Sequence, residues 1–201
     1  MVSFSHYLVC ILVIIKPRYR IAILCLLFLS LWVVWMPTSI FAAAETWDGG
    51  GTDGTCGGGA GDGNKWSCAA NWVSNTVPNS SDTVVFDATS TKAATIDTAF
   101  TIQGMTIATG YTDTITMAGN LTLTAATGFV HNTTDGVFTW SSGTLSFTGS
   151  AAQVLNVDTD DTFGPLTIAK SSSSTIGVTV TSGDTVPVSG DLTLTDGNLN
   201  T

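Results

Sequence analysis

Gly119-Asn120-Leu121-Thr122-Leu123, Gly143-Thr144-Leu145-Ser146-Phe147, Gly164-Pro165-Leu166-Thr167-Ile168 and Gly190-Asp191-Leu192-Thr193-Leu194 are copies of one short pattern. Gly104-Met105-Thr106-Ile107 is a fifth copy that lacks the spacer after its glycine. In each, a turn glycine leads into apolar, hydroxyl, apolar. Side chains along a strand point alternately to opposite faces, so the two apolar groups share one face and the hydroxyl takes the other. The first apolar residues of the copies are Met105, Leu121, Leu145, Leu166 and Leu192, and the step from Met105 to Leu121 is the shortest. Recurrence every roughly 16–26 residues marks stacked units, each too small to bury its own apolar face. The pattern predicts that Leu121, Leu145, Leu166 and Leu192 form one continuous interior row.

Working outward from the copies, further strands are predicted at Thr83–Phe86, Thr95–Asp97, Thr114–Met117, Gly136–Trp140, Gln153–Val157 and Gly177–Thr181. Two or three short strands per repeat is the content of one turn of a β-solenoid. After residue 45 no stretch sustains apolar residues at helical spacing. The alternative all-β reading is a β-sandwich, with the same strands paired antiparallel. It needs hairpin turns, and Asp196-Gly197 is the one Asp-Gly pair near the repeats suited to a tight turn, since Asp135-Gly136 is followed by a strand but not preceded by a strong one. The last residues follow directly on a repeat strand with no atypical capping unit, so the expectation is a solenoid truncated at its C-terminal end.

Residues 1–44 read as a signal peptide. Lys16, Arg18 and Arg20 precede an apolar run from Ile21 to Trp35, and Ala42-Ala43-Ala44 supplies the small residues for cleavage between Ala44 and Glu45. The competing reading is an uncleaved anchor, but the run from Ile21 to Trp35 falls short of the roughly 20 residues that span a bilayer. A further apolar run, Tyr7 to Ile15, lies upstream of the basic cluster. Beyond residue 44 the chain holds three lysines, no arginine and fifteen carboxylates, a formal charge of −12. This balance argues against nucleic acid and anionic membrane as partners, since both require clustered cations. It fits a secreted or cell-surface protein with no membrane contact beyond the leader and no defined oligomer.

Residues 45–85 differ in composition from the repeats and are read as an N-terminal cap, with the solenoid running over 86–201. They carry Trp47, Trp66, Trp72, Cys56, Cys68 and a glycine-rich run. Two cysteines twelve positions apart in an exported chain point to a disulfide, since two thiols without a nearby His or a second pair do not make a zinc site.

The order Thr46-Trp47-Asp48-Gly49-Gly50-Gly51, Asn64-Lys65-Trp66-Ser67, Ala69-Ala70-Asn71-Trp72, Val77-Pro78 and Asp82-Thr83-Val84-Val85-Phe86 resembles the N-terminal entry of secreted bacterial β-helix proteins of the autotransporter-passenger and adhesin-like kind. Thr162–Ile168 and Val186–Leu194 resemble the repeats of such proteins. The resemblance implies a right-handed parallel β-helix displayed outside the cell. It carries over no catalytic residues. The cysteine-containing glycine-rich insertion departs from the family's simpler pattern.

Four groups of side chains are candidates for chemistry. Trp47, Trp66, Trp72 and Trp140 are either a sugar-stacking platform or a cover over the open end of the stack, and their clustering favours the cover. Asp158, Asp160 and Asp161 could hold calcium if extended, because alternation would place Asp158 and Asp160 on one side. A solvated turn between Val157 and Phe163 is the stronger reading. His131, the one histidine after residue 44, would have to serve any Ser–His–Asp arrangement, yet no Gly-x-Ser-x-Gly elbow accompanies it, so it is read as a loop residue. Asp48, Asp53 and Asp62 lie in the glycine-rich run without the ligand spacing of an EF-hand. The resulting expectation is a structural or adhesin-like surface protein without catalytic activity or cofactor, meeting glycans or surface proteins. The alternative is a carbohydrate-active β-helix enzyme or a glycan-binding module.

Overall fold

A computed structural model describes residues 43–50, 56, 64–131, 133–171 and 177–201. Thirteen strands and one 3-10 turn, Ala69–Asn71, make up the regular structure among them. The strands are β1 Ala44–Thr46, β2 Thr83–Phe86, β3 Ala94–Ile96, β4 Phe100–Ile107, β5 Thr114–Met117, β6 Leu121–His131, β7 Val137–Trp140, β8 Leu145–Phe147, β9 Gln153–Asn156, β10 Leu166–Ala169, β11 Gly177–Val180, β12 Leu192–Asp196 and β13 Asn198–Asn200. Every ladder between them is parallel, and the one antiparallel contact among the described residues is the isolated bridge Trp47–Trp72. The antiparallel sandwich is therefore excluded. The protein is a β-solenoid.

Each coil visits three faces. On the first, Phe100, Leu121, Leu145, Leu166 and Leu192 are in register from coil to coil, and Ile102, Leu123, Phe147, Ile168 and Leu194 form a second interior row beside them. The interior leucine row is thus as the repeat predicts, with one correction. The Met105 copy does not belong to it. Met105 pairs with Val84 and Phe129 on the second face, and Phe100 takes the rung beneath Leu121. The short step from Met105 to Leu121 measured a passage between faces, not a coil.

The second face stacks β1, β2, the later half of β4, the later half of β6, β9, β11 and β13. The third stacks β3, β5 and β7, continued by the Phe163–Val188 bridge. The ladder thus reaches into the 45–85 segment, because β1 and β2 are its first two rungs on the second face.

β4 and β6 each run across a corner, from the first face to the second, without leaving strand geometry. At the corner in β6, Gly128 has φ +62°, and a Cβ there would stand 2.1 Å from the Val154 carbonyl oxygen of the next coil. Only glycine allows both the left-handed backbone and that approach. Gly143, the turn residue of the third repeat, has φ +83° and lies against the Gly119 carbonyl, so two of the repeat glycines stack on each other.

The interior holds two aromatic clusters. Trp47 and Trp66 each meet Trp72 edge to face at 5.3 Å, and each lies 5.9 Å from Phe86. All three indoles are fully buried. They pack over the first rungs of the stack with no ring face open to solvent, an arrangement that favours cover over a sugar platform. Trp140 is corrected out of this group. It ends β7, is 36% exposed and donates its Nε1–H to the Gly143 carbonyl at 3.0 Å. The second cluster is Phe129, Phe138 and Phe163, one ring from each of three strand positions, with centroids 5.0–5.4 Å apart.

Cys56 and Cys68 form the expected bridge, with Cα atoms 5.2 Å apart. Asp53 and Asp62 lie outside the described residues, as do residues 1–42, where the leader is expected. At the expected cleavage point, Ala44 pairs with Thr83, the Ala43 carbonyl accepts the Thr83 N–H at 2.9 Å, and Glu45 is buried with its carboxylate bonded to the Ser74 hydroxyl. At the other end, Leu192 and Leu194 are 48% and 49% exposed, since their row has a neighbour on one side only.

Candidate functional site

The interior row on the second face changes character along its length. Phe86 pairs with Ile107, and Ile107 pairs with His131. Alternation through Phe129-Val130-His131 turns Phe129 and His131 inward, so a titratable ring occupies a position that the two earlier coils fill with hydrocarbon. His131 is buried, and the reading of it as a loop residue is corrected: it is the last residue of β6. Burying an imidazole is costly unless its nitrogens are bonded. Both are. Nδ1 lies 2.9 Å from each oxygen of Asp161, and Nε2 lies 2.9 Å from the Asp135 main-chain carbonyl.

Asp161 reaches the histidine because the chain turns after β9. The Asp161 N–H donates to the Asp158 carbonyl at 3.2 Å, closing a turn over Asp158–Asp161. The Asp161 carboxylate then also accepts the Asp158 N–H at 3.0 Å and the Phe138 N–H at 2.9 Å. Phe163, two residues on, enters the aromatic cluster with Phe129 and Phe138. One buried carboxylate therefore joins β6, β7 and the loop after β9.

Burial alone would lower the basicity of His131. The hydrogen bonds to Asp161 and the Asp135 carbonyl, with the negative charges of Asp161 and Asp158, outweigh that and raise its pKa above the ordinary 6.5. The catalytic alternative is not assembled here: Nε2 meets a main-chain carbonyl, where a Ser–His–Asp relay would place a hydroxyl.

A surface cavity of about 340 Å³ lies above the ring, lined by His131, Thr133, Thr134, Asn156, Asp158 and Asp184 among others. A second, of about 290 Å³, shares Val157, Asp158 and Asp184 with it and continues past Thr159 to Pro187. Asp184 also accepts the Val157 N–H at 3.1 Å, tying the wall of the cavity to the start of the turn. Hydroxyls, amides and carboxylates on this wall suit hydrogen bonds with a polyol.

The extended geometry on which a shared cation at Asp158 and Asp160 depended is absent, since the segment is a turn. Asp160 is exposed, Asp158 lies at the cavity, and Asp161 is buried on its three donors. Among the described residues no group of three His, Cys, Asp or Glu side chains is placed to hold a metal ion. Asp48 accepts the Gly50 N–H at 2.8 Å within its own loop.

Lys170, the base nearest this cluster in sequence, points elsewhere. It is buried, donates to the Thr148 carbonyl at 2.7 Å and to Gln153 Oε1, and burial lowers its pKa. Gln153 in turn donates to the Leu123 carbonyl at 2.9 Å. This inward polar pair escaped the sequence reading. Its signal was the placement of Gln153 at an inward strand position and of Lys170 directly after a repeat strand.

Comparison with family models, with characterised proteins and with solved structures finds no match to the chain. Among the described residues no helix is long and apolar enough to cross a membrane.

Proposed function

We propose that this chain is an exported, non-catalytic β-solenoid that acts as a structural or adhesin-like scaffold at the cell surface or outside the cell, touching glycans or surface proteins through its outer faces. The observation that carries the reading is a row of hydroxyls. Thr101, Thr122, Ser146, Thr167 and Thr193 are in register on the outer side of the first face, directly behind the interior leucine row. Adjacent parallel strands lie about 4.8 Å apart, so the row offers evenly spaced donors and acceptors without charge. Each contact is weak in water, where a net hydrogen bond is worth about 1 kcal/mol, and retention would come from repetition. The apparent leader and the acidic balance of the remaining chain support export.

The test replaces three outer hydroxyls together, Thr122→Val, Ser146→Ala and Thr167→Val, which leaves the interior rows untouched. The expected result is an unchanged melting transition with at least tenfold weaker retention on surfaces coated with cell-wall polysaccharide. Equal retention by parent and variant would overturn the assignment of contact to this face.

A further inference from the structure

We infer that His131 and Asp161 form a proton-operated clasp, closed when the imidazole is protonated, which holds the 157–163 segment against β6 and fixes one wall of the surface cavity that His131 lines. The inference is independent of the display reading. It stands on the nature of the partners. A carboxylate and a main-chain carbonyl can only accept hydrogen bonds, and an imidazole nitrogen donates only when it carries a proton. With Asp161 at Nδ1 and the Asp135 carbonyl at Nε2, only the doubly protonated ring satisfies both contacts. A neutral ring has one N–H. Whichever acceptor it keeps, the other then faces a nitrogen lone pair inside the protein.

The consequence spreads because Asp161 is shared. The same carboxylate that holds His131 receives the main-chain N–H of Phe138 in β7 and of Asp158 at the start of the turn. Removing the proton therefore takes away the positive charge that balances a buried carboxylate at the joint of three segments. The rest of the surroundings cannot replace the lost charge. The groups facing the ring are Asp161 and Asp158 from the turn after β9, Asp135 from the β6–β7 loop, whose own carboxylate accepts the Gly110 N–H at 2.8 Å, and Asp184 across the cavity. From β4, the neighbour of His131 in the ladder is Ile107. Among the described residues the charges acting on the ring are those of Asp161 and Asp158, and both favour its protonated form.

The direction with pH follows. A group whose pKa is raised by folding adds stability that is complete below its unfolded value and is lost as pH rises through its folded value. For His131 that window opens near 6.5 and extends upward through the raised folded pKa. Mild acid closes the clasp, and mild alkali releases it. One proton is involved, so the closed population falls by at most about tenfold per pH unit.

The wild-type chain, labelled with ¹⁵N at histidine, provides the direct measurement. His6 and His131 are its two histidines, and a parallel His6→Gln sample assigns the signals. The expected result is that both His131 ring nitrogens carry protons at pH 6.5 and titrate with a midpoint above that value. A midpoint at or below 6.5 overturns the inference. Amide exchange corrected for intrinsic rates supplies the second readout. Protection at Phe138 and Asp158 is expected to fall about tenfold per pH unit above the midpoint, while Val84 in β2 keeps its protection. A uniform response across all three amides would overturn the clasp as a local device.

Discussion

The chain carrying Trp72→Ala is expected to unfold about 3–5 kcal/mol more readily than the parent, the largest loss from a single change in the N-terminal region. Trp72 is fully buried between Trp47 and Trp66, and it meets both edge to face at 5.3 Å. Its Nε1–H donates to the Trp66 carbonyl at 2.9 Å. Truncation opens a cavity the size of an indole, removes two aromatic pairs and orphans a buried carbonyl. For a domain of this size the melting temperature should drop by about 6–20 °C. Urea denaturation checks the result. A variant that kept the parent's stability while losing retention on glycans would show that the indoles serve contact rather than cover.

Leu145→Ala should cost a comparable amount, about 3–5 kcal/mol, and its neighbour supplies the control. Leu145 is buried in register between Leu121 and Leu166. Ser146, the next residue, points outward, so Ser146→Ala should change stability by no more than about 0.5 kcal/mol. Two adjacent residues of one strand thus differ severalfold in consequence because alternation sends them to opposite sides. In a solenoid each coil is supported by its neighbours, so a gap at the middle rung weakens both halves. Leu194→Ala, at a half-exposed position on the last rung, should cost far less. Equal costs at Leu145 and Leu194 in parallel denaturation curves would contradict the continuous interior row.

The leucine row was legible because glycine, apolar, hydroxyl and apolar recur at coil spacing. The face on which each copy lies was not. Met105-Thr106-Ile107 has the same alternation as Leu121-Thr122-Leu123, and period-2 patterning describes any of three faces equally well. The shortness of the step from Met105 to Leu121 was the available sign that a corner intervened. The packing of Trp47, Trp66 and Trp72 into one cluster was legible from their grouping at one end. The clasp was not, because Asp161 lies 30 residues from His131, beyond a coil of irregular length. Alternation from Phe129 does place His131 inward, and an inward polar side chain implies a buried partner. Applying that rule at Gln153 would also have exposed the pairing with Lys170.

Parallel stacking also decides how this molecule would behave under tension. Force applied along the stack loads one rung's ladder at a time, so the end coil peels while the rest stays folded. Each coil, counted between successive first-face rungs, would then release about 70–90 Å of chain. A tether built this way lengthens in steps and dissipates a sudden pull instead of snapping at its attachment.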